Sequence, residues 1–164
     1  MPLSPTLSYV ILVVTAAVLF VAARTDLREF KIRNELVLLV AALFALHALV
    51  SGHWTHIHWN ILIAAIVFAT LLFFYSQIWI GGGDVKMLTV AFLWMGYPWD
   101  CTLLFAVLLS VCTTVHGVAA KFGWIGARKV GERKMIPLAP SVAAALIGSF
   151  MLGCPKLPPM FTPI

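Results

Sequence analysis

The sequence predicts an all-α, polytopic membrane protein with six transmembrane helices. Of its 164 residues, 62% are hydrophobic and only 10% are charged, which leaves too little polar surface to cover a water-soluble globule. The mean hydropathy is +1.03. Six apolar segments follow one another with short connections between them. Because these segments and connections use nearly every residue, we expect one membrane-embedded domain over residues 1–164.

The apolar segments set the predicted helices. They run roughly over Leu7 to Ala23, Leu36 to Val50, Ile61 to Ile80, Met87 to Tyr97, Cys101 to Ala120 and Ile136 to Gly153. A helix needs about 20 residues to cross the hydrocarbon core, within a range of about 17–25. The second and fourth segments are shorter, so we expect them to include flanking residues. We expect helix 4 to be short and to be opened by a loop of Gly81, Gly82, Gly83 and Asp84.

The distribution of basic residues predicts the orientation. No Lys or Arg precedes the first segment, four lie between the first two segments and five lie between the last two. The first segment is therefore predicted to be a retained span, with both termini outside and residues 81–86 on the cytoplasmic side. An outer belt of interfacial tryptophans is expected at Trp54, Trp59, Trp94 and Trp99, with Trp79 and Trp124 near the inner surface. Contacts with anionic lipid account for the net charge of +5, so no nucleic-acid partner is expected.

Two of the six acidic residues stand at the ends of apolar segments. Asp26 follows the first segment and Asp84 opens the fourth. An ionisable group at membrane depth is costly and by default marks a functional site. On the predicted topology, helix packing can bring the two carboxyl groups face to face near the cytoplasmic surface. The alternatives are a helix cap for Asp84 and a solvated ion pair with basic neighbours for Asp26.

Such a pair of carboxyl groups predicts aspartyl-protease chemistry. Two carboxyls at short range do not both ionise cheaply, so one keeps a proton while the other stays charged. The charged carboxylate takes a proton from water as the water attacks a peptide carbonyl, and the protonated one donates to the oxyanion or the leaving amine. The three glycines before Asp84 offer an extended substrate a backbone without side chains. We expect water to be the nucleophile, with no metal or organic cofactor.

The motif Gly81-Gly82-Gly83-Asp84-Val85-Lys86, with Asp26 upstream, resembles the GxGD aspartyl proteases. More narrowly, it is similar to the prepilin peptidases, also called type IV leader peptidases. The segment from Asp26 to Asn34 is similar to the family pattern around its first aspartate, with Arg33 in place of the usual proline. Residues 136–140, with two prolines, resemble the proline pair that opens the last span of the family.

The resemblance implies an intramembrane aspartyl endopeptidase. Its substrate would be a type IV or Flp-type prepilin, cut after a glycine between a short basic leader and an apolar helix, at the cytoplasmic membrane face. Asp26 and Asp84 would be catalytic, and the substrate would bind near residues 81–83, Lys86 and Asn34. The resemblance also implies the inner (cytoplasmic) membrane as the location, with pilus-assembly or secretion machinery as further partners. Without the zinc-binding C-x-x-C insert and methyltransferase activity of larger members, the sequence resembles the compact form.

Two other interpretations stay open. The chain can be read as a small proton- or ion-coupled transporter in which Asp84, at a broken helix, binds the cation. Against this, the sequence shows no inverted repeat, and its candidate acids cluster on one side of the predicted membrane. A catalytically inactive assembly or lipid-binding factor is the third interpretation, for which both aspartates would be dispensable.

Several histidines have two readings. His53, His56 and His58 have metal-ligand spacing, but without a nearby acid or cysteine a wet interfacial loop is favoured. His116 lies within the fifth segment, where it either carries a functional proton or, as we expect, is a hydrogen-bonded packing residue beside Thr113 and Thr114.

The cysteines, Lys86 and the basic connection before the last segment also have more than one interpretation. Cys101, Cys112 and Cys154 form no C-x-x-C pair and are expected to be packing residues, with a disulfide left open. Lys86 either meets the substrate or the carboxylates, or extends to lipid phosphates. Residues 121–134 are either a gate over the site or a basic loop that sets topology.

Overall fold

The computed structural model describes residues 5–51, 56–78, 80–123, 128–130, 133–135 and 137–154. Within them lie six α-helices, α1 (Pro5–Glu29), α2 (Asn34–Ser51), α3 (Ile57–Ser76), α4 (Gly82–Met95), α5 (Trp99–Lys121) and α6 (Ala139–Met151). Between α5 and α6, strands β1 (Arg128–Val130) and β2 (Arg133–Met135) form an antiparallel hairpin in which residue 129 lies opposite residue 134. The all-helical, multi-pass membrane fold is confirmed, and the hairpin is an unpredicted addition within the basic connection.

Helix length divides the described helices into two groups. Helices α1, α2, α3 and α5 are each long and apolar enough to cross a membrane. The other two, α4 with 14 residues and α6 with 13, extend over only about 20 Å, which is less than the roughly 30 Å of hydrocarbon. The short fourth helix and the extension of the second segment by flanking residues were predicted, whereas the long sixth helix was wrong. Because proline is tolerated only in the first turn of a helix, Pro140 favours the late start of α6.

Helix α4 lies at the centre of the bundle. It packs against α2, α3, α5 and α6, while α6 also packs against α1 and α5. Trp94 of α4 is 1% exposed, and its indole N–H donates to the carbonyl oxygen of Val40 at 3.1 Å. The prediction that Trp94 belongs to an interfacial belt is therefore wrong. Trp59 and Trp99 are exposed, with ring centroids 6.2 Å apart, and the other belt tryptophans lie outside the described residues.

The surface of the bundle is apolar. On α5, exposed Leu103, Val107, Val111 and Val115 recur every four residues and form one continuous stripe. A stripe of this size on a water-soluble protein would cause aggregation, whereas in a bilayer it contacts lipid tails. The packing thus agrees with the composition.

Two of the three cysteines are covalently linked. Cys101 and Cys154 form a disulfide with a Cα–Cα distance of 5.6 Å, and Cys112 keeps a free thiol. The expectation that all three are packing residues is wrong for this pair. The bond joins the start of α5 to the segment just after α6. It lies at the end of the bundle away from Asp26 and Asp84. Disulfides form in oxidising compartments, which agrees with the predicted external side.

Among the glycines that the structure describes, Gly96, at the end of α4, is expected to be the least tolerant of alanine. A Cβ there would lie 2.7 Å from the Cα of Asn60, although the backbone angles are ordinary. Because α3 and α4 must separate to make room, Gly96→Ala should lower the free energy of unfolding by about 1–3 kcal/mol. Thermal unfolding in detergent, followed by circular dichroism, measures this.

Gly117 in α5 is the matched control, because a Cβ there meets nothing within 4 Å. Gly117→Ala should unfold at the wild-type temperature or slightly above it, since alanine is the better helix former. Equal unfolding temperatures for the two variants would contradict the close packing of Gly96.

Candidate active site

Asp26 lies in the last turn of α1 and is buried, with 4% of its surface exposed. Its Oδ2 accepts a hydrogen bond from the backbone N–H of Ala139 at 3.0 Å. This N–H is one of the groups at the start of α6 that have no partner within their own helix, and the helix dipole favours a negative charge there. Within the described part of the chain no ion pair involves Asp26. The solvated ion-pair interpretation is therefore wrong.

Asp84 lies in the first turn of α4 and is half-buried. Gly81 is the N-cap residue, with φ −74° and ψ 146°, so Asp84 is the third residue of the helix. Its carboxylate accepts a hydrogen bond from the backbone N–H of Gly81, as the acid of a capping box does. The expectation that the three glycines form a loop is correct only for Gly81, because Gly82 and Gly83 already belong to the helix. Asp84 thus caps α4 from inside its first turn.

The two carboxyl groups are close enough to interact electrostatically. Each is held by a backbone N–H at the amino end of a short helix, Asp84 at α4 and Asp26 at α6. The carboxyl pair therefore lies at the amino ends of α4 and α6. Both helices are too short to cross the hydrocarbon. A carboxyl pair of this kind can supply one general acid and one general base.

The glycines allow close packing around this pair. A Cβ on Gly83 would lie 3.2 Å from the Cβ of Ile32, a buried residue in the connection after α1. A Cβ on Gly82 would lie 3.4 Å from the ring of Tyr75, and one on Gly81 would lie 3.1 Å from Asp84 Oδ2. Gly83 therefore lets the start of α4 approach the segment that follows Asp26.

A hydrogen bond between Lys86 and Asn34 joins the glycine motif of α4 to the segment that follows Asp26. The Lys86 ammonium donates a hydrogen bond to Asn34 Oδ1 at 3.0 Å, and both side chains are exposed. This contact ties the start of α2 to the first turns of α4. Of the residues singled out from the sequence, the structure brings Asp26, Gly81 and Asp84 together, and it places Asn34 and Lys86 in a separate contact.

Sequence reasoning missed the contribution of α6. Ala139 acts through its backbone, and Ser141, also in the first turn, places its Oγ 3.0 Å from His116 Nδ1. His116 is hydrogen-bonded, as expected, but its partner is Ser141, whereas Thr113 and Thr114 bond to carbonyl oxygens of their own helix. The proline pair at residues 137–140 was the available signal, although it does not reveal which residue binds Asp26.

The histidines at the start of α3 make ring contacts. His56 stacks on Tyr97 with a centroid distance of 4.3 Å, and His58 lies 5.4 Å from the ring of Trp59. His53 lies outside the described residues. Among the residues that are described, no three His, Cys, Asp or Glu side chains are grouped to hold a metal ion.

Comparison with known families gives one match. The pattern of the type IV leader peptidase family matches residues 13–118, which contain both aspartates, the three glycines, Lys86 and Asn34. The matched part ends before α6. Neither a curated protein nor a solved structure matches the chain.

Proposed function

Because this chain belongs to the type IV leader peptidase family, we propose that it is an aspartic endopeptidase that uses Asp26 and Asp84. Its substrate is a type IV or Flp-type prepilin, whose short basic leader it removes at the cytoplasmic face of the inner membrane. The observation that carries the proposal is the proximity of two carboxyl groups from distant parts of the chain, each bound by a helix amino end. The proposal needs no metal and no organic cofactor.

The proposed reaction follows from the carboxyl pair. The ionised carboxylate takes a proton from water while the water oxygen bonds to the carbonyl carbon of the scissile peptide. The protonated carboxyl donates to the oxygen that becomes negative. When the tetrahedral intermediate collapses, the C–N bond breaks and the leaving amine takes a proton. The proton belongs to the pair and is not assigned to either aspartate.

The fixed positions of the carboxyl groups support this role. One oxygen of Asp26 is held by the Ala139 N–H, and Asp84 is held by the Gly81 N–H. Both bonds are made by backbone groups at helix ends, so the carboxyls need little reorganisation during the reaction. The disulfide at one end of the bundle, which requires an oxidising compartment, and the basic connections at the opposite end support the cytoplasmic side for the site. Pilus-assembly or secretion machinery would receive the product.

Leader removal from a defined peptide tests the function. The purified protein in liposomes is mixed with a synthetic peptide that has a lysine-containing leader, a glycine and an apolar helix. We expect two products whose masses place the cut directly after the glycine. An intact peptide, or a cut at another bond, would contradict the proposal.

Gly81→Ala is expected to reduce this activity by about tenfold or more without unfolding the protein. The backbone at Gly81 suits alanine, but the new Cβ would lie 3.1 Å from Asp84 Oδ2 and displace the carboxylate by a few tenths of an ångström. Small misplacement of a reacting group is costly, since about 1 Å can lower a rate by about 100-fold. The initial rate of leader removal measures the effect.

Gly148→Ala in α6 provides a control outside the motif. Its Cβ would make an ordinary contact of 3.4 Å with Leu108 Cδ1. We expect activity close to wild type. If both variants lose activity equally, the position of Asp84 is not what the first substitution disturbs.

A further inference from the structure

A groove of about 470 Å³ lies beside the candidate active site. Its mouth is formed by Asn34, Glu35 and Lys86, and its walls include Leu38 and Ala41 of α2 and Phe68 of α3. Below the polar mouth the lining is almost entirely apolar. Leu38 is 72% exposed and Phe68 is 43% exposed, so the groove faces the lipid.

The groove lies between two helices that leave space for a further helix. In the described part of the chain α2 and α3 both pack against α4, but they hardly pack against each other. The floor of the groove is therefore α4, and its two sides are α2 and α3. Ala41 and Thr89 in the lining are small, which lets the backbone of another helix approach closely.

The groove begins at the catalytic end of the bundle. Lys86, at the mouth, follows Asp84 by two residues in the same helix. From Asn34 to Ala41, α2 rises about 10 Å, so the groove leads from the level of the carboxyl pair toward the membrane interior. An occupant would have its polar end at the level of Asp84 and its apolar part in the bilayer.

We propose that the groove binds the first turns of the substrate's apolar helix, so that the peptide bond just before this helix lies at Asp84. This inference rests on the proposed function and names its helix-binding site. Lipid tails are as apolar as the groove walls, so apolar character alone does not select a helix. The selection comes from the small residues in the lining and from the polar mouth.

The mouth is suited to the segment around the scissile bond. The Lys86 ammonium uses one donor on Asn34 and has two more for carbonyl oxygens of an extended backbone. Glu35 offers a carboxylate of opposite sign to a basic leader. Its pairing with Arg33 at 2.7 Å is solvent-exposed, and such pairs exchange partners at little cost.

Photo-crosslinking locates the substrate helix. The Asp84→Asn variant in liposomes is irradiated with the synthetic leader–glycine–helix peptide, which carries a benzophenone group in the first turns of its helix. We expect crosslinks to the groove walls, at Leu38, Ala41 or Phe68. Crosslinks spread evenly over the bundle, or confined to the lipid-facing stripe of α5, would overturn the proposal, and the latter result would leave the groove to a lipid tail.

A substitution that fills the groove gives an independent measurement. Leu38→Trp should raise KM for the same peptide by about tenfold or more, with kcat little changed, because the indole occupies the space of the substrate helix. Val107→Trp is the control, since Val107 is 60% exposed on the stripe of α5. An unchanged KM for Leu38→Trp would overturn the proposal.

The two proposals fail in distinguishable ways. Cleavage of the peptide by the wild-type protein without crosslinks in the groove would refute the groove and retain the peptidase. Crosslinks in the groove without cleavage would retain the binding site and refute the peptidase. The crosslinking result does not depend on turnover, so it shows whether the groove binds the substrate helix in either case.

Discussion

Asp84→Asn and Asp26→Asn are each expected to abolish leader removal while the protein stays inserted and folded. Asparagine has the shape of aspartate and still accepts a hydrogen bond, so the N–H groups of Gly81 and Ala139 keep an acceptor. It neither ionises nor carries a carboxylic proton. General acid–base catalysis contributes about 10²- to 10⁴-fold, and each substitution removes one member of the shared pair. We expect the initial rate of product formation to fall by at least about 10³-fold.

Glu29→Gln is the matched control for these variants. Glu29 lies three residues after Asp26 in the same helix, but it is exposed to solvent. Its replacement removes the same charge from the same end of the bundle and should leave the rate near that of wild type. Substantial processing by either aspartate variant would exclude that residue from catalysis. Comparable loss in Glu29→Gln would indicate that net charge at this surface, and not the carboxyl pair, controls the rate.

The features that follow from local sequence were predictable. Six helices and the position of Asp84 at the start of α4 follow from apolar segments broken by charge and glycine. The start of α6 was not, because it depends on where Pro140 is tolerated. Trp94 was misplaced for a related reason: in an apolar chain, composition does not distinguish side chains that face lipid from those that face the core.

The candidate site was predictable in its acids but not in what holds them. Asp26 and Asp84 stand out because acids are rare in this chain. The hydrogen bond from Ala139 to Asp26 spans 113 residues and uses a backbone group that any residue except proline carries. The groove between α2 and α3 was also hidden, since it results from helix packing and its walls have the same composition as the rest of the surface.

Loss of the disulfide between Cys101 and Cys154 is expected to cause a large loss of stability. The two cysteines are 53 residues apart in the chain, and a crosslink over a loop of that length typically contributes about 2–4 kcal/mol. Cys101→Ser and Cys154→Ser should therefore unfold at clearly lower temperature in detergent. Reductant should lower the unfolding temperature of the wild type and leave these variants unchanged. Cys112→Ser, which removes the free thiol, should behave as the wild type does.

The same bond reports the orientation of the site. The amino end of α6 contacts Asp26, and the disulfide lies just beyond its other end. The bond and the carboxyl pair therefore lie at opposite ends of α6, about 20 Å apart. Because both cysteines are buried, a cysteine placed beside them reports the side: in right-side-out vesicles Leu152→Cys, at a position that is 64% exposed, should react with a membrane-impermeant maleimide, whereas inside-out vesicles should show no such labelling. Labelling from the cytoplasmic side alone would place Asp26 and Asp84 outside, where a cytoplasmic leader could not reach them.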